Sequence, residues 1–144
     1  VPWGYSGEGG PAAWASLRPE YALCGNGQRQ APIHIEEGAA LQGPNEPLGI
    51  QYQASTGTVV HTGRTLRVEV QGENLLQVRG SSYRLEYFDF QHPAVEMVNH
   101  AGFSMGVHLV HRNARGQTAI VAVMVESRKS PTAVTTVPTI GNHL

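Results

Sequence analysis

The chain has 144 residues, 15% of them charged, with a formal net charge of −1. That length suits one domain with a hydrophobic core, and 17 glycines and 9 prolines beside a 40% hydrophobic content point to a turn-rich β domain rather than disorder. The charge balance gives no drive toward nucleic acid or an anionic membrane. The apolar run Thr118–Val125 is far short of the roughly 18 residues a membrane helix needs, and a single cysteine, Cys24, excludes an internal disulfide and a Cys-rich zinc site.

In chain order, the first 47 residues are rich in Gly, Pro and Ala and predict loops and turns. A short helical turn is expected at Pro11–Leu17, with proline near its start, and a brief strand at Pro32–Ile35. From Leu48 the pattern turns to strands. Leu66-Arg-Val-Glu-Val-Gln alternates strictly, placing Leu66, Val68 and Val70 on one face. Further strands are expected at Asn74–Arg79, Tyr83–Gln91 and Ser104–His111. The run Thr118–Val125, apolar after Thr118 and rich in β-branched residues, predicts a buried central strand, joined to the preceding one by a hairpin turn at Asn113–Gly116. The Thr- and Pro-rich segment from Ser127 has no period and is expected to be a tail.

Four segments carry a family signature together. They are Trp3-Gly-Tyr-Ser-Gly followed by Pro11-Ala-Ala-Trp14, Leu23-Cys-Gly-Asn-Gly-Gln-Arg-Gln-Ala-Pro-Ile-His-Ile, Leu85-Glu-Tyr-Phe-Asp-Phe-Gln-His-Pro, and Met105-Gly-Val-His-Leu-Val-His111. In this order, over roughly Trp3–Glu126, the chain resembles the α-class carbonic anhydrases of the bacterial secreted kind. The resemblance implies a mostly β fold around a central sheet with irregular N-terminal segments and little helix. It also implies a zinc held by three neutral imidazoles, two of them at i and i+2 of one strand, with an open fourth position that activates water.

The same resemblance identifies what this chain lacks. The paired ligand positions read Asp89 and Gln91, and of the three histidines His108 alone is kept. The groups that orient ligand imidazoles in the family are replaced by Tyr87 and Gly106, and losses of that kind cost about 10–100-fold in metal affinity or activity. Glu96 matches the acidic residue that orients the family's hydroxide-binding threonine, which belongs to a later segment. Arg64 stands at the proton-shuttle position and cannot relay protons near neutral pH. Family members continue beyond the equivalent of Leu144, and that continuation carries both central strands and the cysteine that pairs with the counterpart of Cys24. A free, shielded Cys24 thiol is therefore expected.

These residues predict a vestigial site of Asp89, Gln91, His108, Glu96, Tyr87, Gly106 and Arg64, with no catalytic residue and no zinc. A weak hard-cation site on Asp89 and His108 is the alternative for metal. His111 is expected on the opposite face from His108, in a structural role. His34, His61, His100 and His143 share no spacing and read as surface or turn residues, and Trp3, Tyr5 and Trp14 as an aromatic cluster. The expected organisation is a β domain over 1–126 and a tail over 127–144. The expected function is a non-catalytic, pseudoenzyme-like domain used for protein binding or assembly, in a periplasmic or extracellular setting. The alternatives are a metal-dependent lyase or hydrolase with an altered Asp89/Gln91/His108 site, and a ligand-binding module using the vacated cleft. Without the family's C-terminal third, one of the strands Tyr83–Gln91, Ser104–His111 or Thr118–Val125 is expected to become an edge, covered by a partner chain in a homo-oligomer.

Overall fold

The structure is a computed structural model. It describes residues 2–30, 34–41, 43, 46–127 and, for the backbone alone, 137–141. The chain divides into two compact units, Val1–Ala31 and Pro32–Leu144.

The first unit is organised by its aromatic rings. Trp3, Tyr5 and Trp14 meet edge-on, with centroids 5.8 to 5.9 Å apart, the geometry that aromatic quadrupoles favour. The Trp14 indole N–H donates to the Gly4 and Gly9 carbonyls at 2.9 and 3.0 Å. Gly9 permits this closure, because a Cβ there would lie 2.4 Å from the Pro2 carbonyl oxygen. The expected turn at Pro11–Leu17 is a 3-10 turn, Pro11–Ala13, running into helix α1 (Trp14–Leu17). A second one-turn helix, α2 (Leu23–Asn26), carries Cys24. Cys24 is a free thiol and is exposed, which corrects the expectation of a shielded one. One turn of helix without a buried residue gives its side chain nothing to pack beneath.

The second unit holds the strands. In chain order they are β1 (His34–Ile35), β2 (Gly49–Gln51), β3 (Gly57–His61), β4 (Leu66–Val70), β5 (Leu75–Val78), β6 (Ser81–Gln91), β7 (Met97–Val98), β8 (Ala101–Gly102), β9 (Met105–Arg112), β10 (Thr118–Val125) and β11 (Val137–Gly141). The main sheet runs β11-β10-β9-β6-β4-β3, with β5 pairing both β2 and β6. A small second sheet has the order β1-β7-β8. The fold is mostly β, as expected. No helix among the described residues is long and apolar enough to cross a membrane as a helix.

β10 matches its expected span, and Ala119, Val121, Ala122 and Met124 within it are buried. The core gathers Leu76, Ala119 and Val121, with Leu48, Val78, Tyr83, Leu109 and Val123 packed around them. The turn after β9 is the expected one. Asn113 Oδ1 accepts from the Arg115 and Gln117 amides, and Gly116 takes a φ of 77° that suits glycine. The alternation in β4 is only partly realised, since Leu66 is 49% exposed.

The edge expectation is corrected. β6, β9 and β10 are all interior. β11, drawn from the segment read as a tail, pairs antiparallel with β10, with Val121 opposite Ile140 and Val123 opposite Pro138. A proline lacks one ladder donor, which an outermost strand tolerates because its outward N–H has no neighbour to meet. The outermost strands of the described sheet are therefore β11, β3 and, on the β5 branch, β2.

Candidate functional site

The site is built on three neighbouring strands. β6 faces β9 in a register that shifts between Leu85 and Tyr87, leaving Glu86 as the extra residue of a bulge. The bulge changes which residues face which side. Leu85 lies opposite His111, whereas Tyr87 lies opposite Val110, Asp89 opposite His108 and Gln91 opposite Gly106. Directly opposed residues share a face. Leu85 and His111 therefore point one way, and Tyr87, Asp89, Gln91 and His108 the other. β4 adds Arg67 opposite Asp89, so Arg67, Asp89 and His108 form a row across β4, β6 and β9.

Arg67 takes hold of Asp89. Its Nε donates to Oδ1 at 2.8 Å and one terminal nitrogen donates to Oδ2 at 3.2 Å. This is the bidentate fork that makes arginine–carboxylate pairs strong. Asp89 is 14% and Arg67 32% exposed in their side chains. The guanidinium carbon also sits 3.8 Å from the centroid of the Tyr87 ring, within cation–π range. The hydrogen bond to Asp89 is the main cause that holds Arg67 above its ordinary value, so it stays charged.

His108 turns to a different partner. Its Nε2 is hydrogen-bonded to Glu96 Oε1. Burial pushes the Glu96 carboxyl up, but the hydrogen bond and the charge of His108 together prevail and leave it below its ordinary value. The other carboxylate oxygen, Oε2, is buried with no hydrogen-bond partner among the described residues. Gly106 makes room for this arrangement, because a Cβ there would come within 3.3 Å of the Ala94 Cβ and 3.5 Å of Glu96 Oε2. Gln91 is half-buried opposite Gly106. Arg64 lies in the exposed turn between β3 and β4. The structure thus brings together Tyr87, Asp89, Gln91, Gly106, His108 and Glu96, and adds Arg67.

A family model for eukaryotic-type carbonic anhydrase matches residues 9–137. The chain belongs to the eukaryotic-type, or α, carbonic anhydrase family. It is 32% identical over 126 residues to a carbonic anhydrase of Pectobacterium atrosepticum, covering 88% of this chain and 51% of that protein. It is 35% identical over 126 residues to one from Klebsiella pneumoniae, covering 86% and 50%. Among solved structures it is similar to the α-carbonic anhydrase of Thermovibrio ammonificans in complex with the inhibitor sulfanilamide. That match has a TM-score of 0.77 and 31% identity, and covers 92% of this chain and 58% of that one. The chain spans about half the length of the curated relatives it matches.

Family membership implies zinc, and the donor set can be tested against it. A tetrahedral zinc site takes three protein donors and one exchangeable position. Of the three positions that the sequence resemblance matches to the family's ligands, one holds an imidazole, one a carboxylate already bound through both oxygens by Arg67, and one a neutral amide. A fixed guanidinium charge in the same row repels a dication. These residues do not fit the family's zinc.

Arg67 is the functional residue that sequence reasoning missed. The available signal was its place in β4 on the face opposite Leu66, Val68 and Val70, which an Asp89 on a neighbouring strand could complement. His111 is fully buried, as its structural role requires. Its Nδ1–H donates to the Ala119 carbonyl at 3.2 Å, and its Nε2 accepts from the Tyr52 hydroxyl. Burial pushes this imidazole below its ordinary value, so it is neutral. His34 and His100 are exposed, and His100 lies in a turn, as expected of surface or turn residues; sequence spacing did not show that their rings stand 4.3 Å apart. His143 lies outside the described residues.

Proposed function

We propose that this chain is a carbonic-anhydrase-like domain that does not hydrate carbon dioxide and serves in protein binding or assembly, in a periplasmic or extracellular setting. The observation that carries the non-catalytic reading is the bidentate Arg67–Asp89 pair, which places a permanent cation and its counter-ion where the family needs neutral imidazoles. Hydration requires a metal to lower the pKa of bound water, and no step toward it is open to this donor set. Fold does not transfer activity once the site is altered. The assembly reading is supported by β3, an outer strand of the described sheet on which Val59 is 67% exposed. Such an edge can accept a further strand. The setting rests on the resemblance of the sequence motifs to the secreted bacterial members of the family.

Elemental analysis and stopped-flow hydration on the purified chain test the first part, and light scattering tests the second. The expected results are hydration at background, no zinc that depends on His108, and a solution mass above 15.5 kDa. Zinc lost on His108→Ala together with hydration above background would overturn the non-catalytic reading. A strictly monomeric chain that captures no partner would overturn the assembly reading.

A further inference from the structure

The geometry points to a site for a borderline divalent metal ion, of the zinc and nickel class, formed by His34, Glu36 and His100 in the small sheet. It is separate from the row on β4, β6 and β9. β1 pairs in parallel with β7, with His34 opposite Met97 and Ile35 opposite Val98. β7 turns into β8 through Asn99 and His100. This pairing carries residue 100 back to β1, and the turn is tied there at three points. The Asn99 amide donates to the Ile35 carbonyl at 2.8 Å, Asn99 Oδ1 accepts from the Glu37 amide at 3.0 Å, and the His100 amide donates to His34 Nε2 at 2.8 Å.

The donors converge from both sides of this tie. His100 Nε2 lies 3.3 Å from Glu36 Oε1, and His34 Nδ1 lies 3.8 Å from the same oxygen. One ligand atom from each of the three residues falls within 4.8 Å of the others. In a tetrahedral site with bonds of about 2.0–2.1 Å the donors stand roughly 3.4 Å apart, so small side-chain rotations suffice. Two imidazoles and one carboxylate select borderline ions such as Zn2+ and Ni2+ over Mg2+ or Ca2+. All three residues are exposed, which leaves the remaining positions to water.

The turn supplies an independent reason to look for a role. Asn99 and His100 have φ of 48° and 64°, the pair of left-handed residues that a two-residue hairpin turn of this kind requires. Asn-Gly is the favoured pair there, because glycine meets no steric penalty at the second position. This chain carries histidine instead, and its ring points at His34 and Glu36. A side chain held where none is favoured is a sign of function when its neighbours form a chemical set.

The protonation can be followed through binding. In the metal-free protein His34 Nε2 accepts from the His100 amide, so the neutral ring carries its proton on Nδ1, toward Glu36. Ligation by Nδ1 moves that proton to Nε2 and breaks the bond to the His100 amide. Metal binding is therefore expected to shift the His100 amide resonance and to speed its hydrogen exchange.

The experiment is calorimetric titration of the full chain with ZnCl2 and with NiCl2, alongside His100→Gly and His34→Gln. Backbone amide NMR accompanies both titrations. The expected result is one ion per parent chain, with loss of the His100 amide bond on binding. Affinity should fall at least tenfold in either variant, since removing a ligand costs no less than removing a group behind one. His100→Gly should also melt no lower than the parent, because glycine relieves the turn. Parent protein that binds neither ion, or variants that bind as the parent does, would overturn the assignment. So would binding that leaves the His100 amide unperturbed. Loss of hydration chemistry plays no part in these readouts, so the result is independent of the proposed function.

Discussion

Replacing Arg67 by Met is the most direct test of the row across β4, β6 and β9. The methionine keeps an apolar stem and removes the fork, together with the cation that sits over the Tyr87 ring. Asp89, 14% exposed, then loses both of its charge-assisted hydrogen bonds to arginine. Bonds to charged groups contribute about 1.5–3 kcal/mol, and a carboxylate left unpaired in a part-buried site costs a similar amount. Arg67 keeps about a third of its side-chain surface in water, and solvent screening places the expected loss at the lower end, about 1.5 kcal/mol. For a chain of this length that lowers Tm by roughly 5 °C. The assay is urea unfolding of the parent, Arg67→Met, Asp89→Asn and the double variant. The coupling energy should be about 1 kcal/mol or more, with the double variant less impaired than the sum of the singles. A coupling energy below about 0.3 kcal/mol would show that the additivity expected of independent sites holds, and the reading of Arg67 as a fixed counter-ion would fail.

Four further outcomes follow from the contacts and exposures of individual side chains. His111 is buried and neutral with a depressed pKa, so near and below about pH 6.5 the unfolded chain binds the extra proton more readily than the folded one. Its contribution is complete above that pH and is lost as the pH falls toward the folded value, with a slope of at most about 1.4 kcal/mol per pH unit. Urea midpoints across pH 5 to 8 should show this loss, and His111→Gln should remove it while lowering stability throughout. Glu96, also depressed, adds a second loss in the same direction as the pH falls below the ordinary carboxylate value, which Glu96→Gln should abolish in urea midpoints extended down to about pH 3. For metal, Asp89→His with Gln91→His still leaves the Arg67 guanidinium, now without its carboxylate, beside the new imidazoles. Adding Arg67→Asn should raise zinc affinity by at least about tenfold by calorimetry, with hydration staying slow because a metal alone does not supply the preorganised groups that stabilise the transition state. Cys24 is exposed, so a thiol reagent should label it stoichiometrically in the folded protein, and slow native labelling that speeds on denaturation would contradict its placement.

Much of this protein is determined by local pattern. Thr118–Val125 reads as a buried strand because a run apolar after Thr118 and rich in β-branched residues leaves no polar face to turn outward, and the structure returns that span unchanged. Asn113–Gly116 reads as a turn because asparagine can bond its own following amides and glycine accepts positive φ, and both occur. The altered ligand set was legible through the resemblance alone, because the stretches beginning at Leu85 and Met105 match the family's motifs, and two-residue periodicity adds that Asp89 and Gln91 share one face. What only the tertiary structure decided depends on register between distant segments. Arg67 reaches Asp89 because β4 and β6 pair at that offset, and Glu96 reaches His108 because the chain returns to β9 after leaving β6. The bulge at Glu86 sets which side chains share a face, and a single extra residue leaves no mark in a hydrophobic pattern. His34 and His100, 66 residues apart, meet through a parallel pairing of two-residue strands. Elements that short carry no period, so tertiary contacts alone bring their imidazoles together.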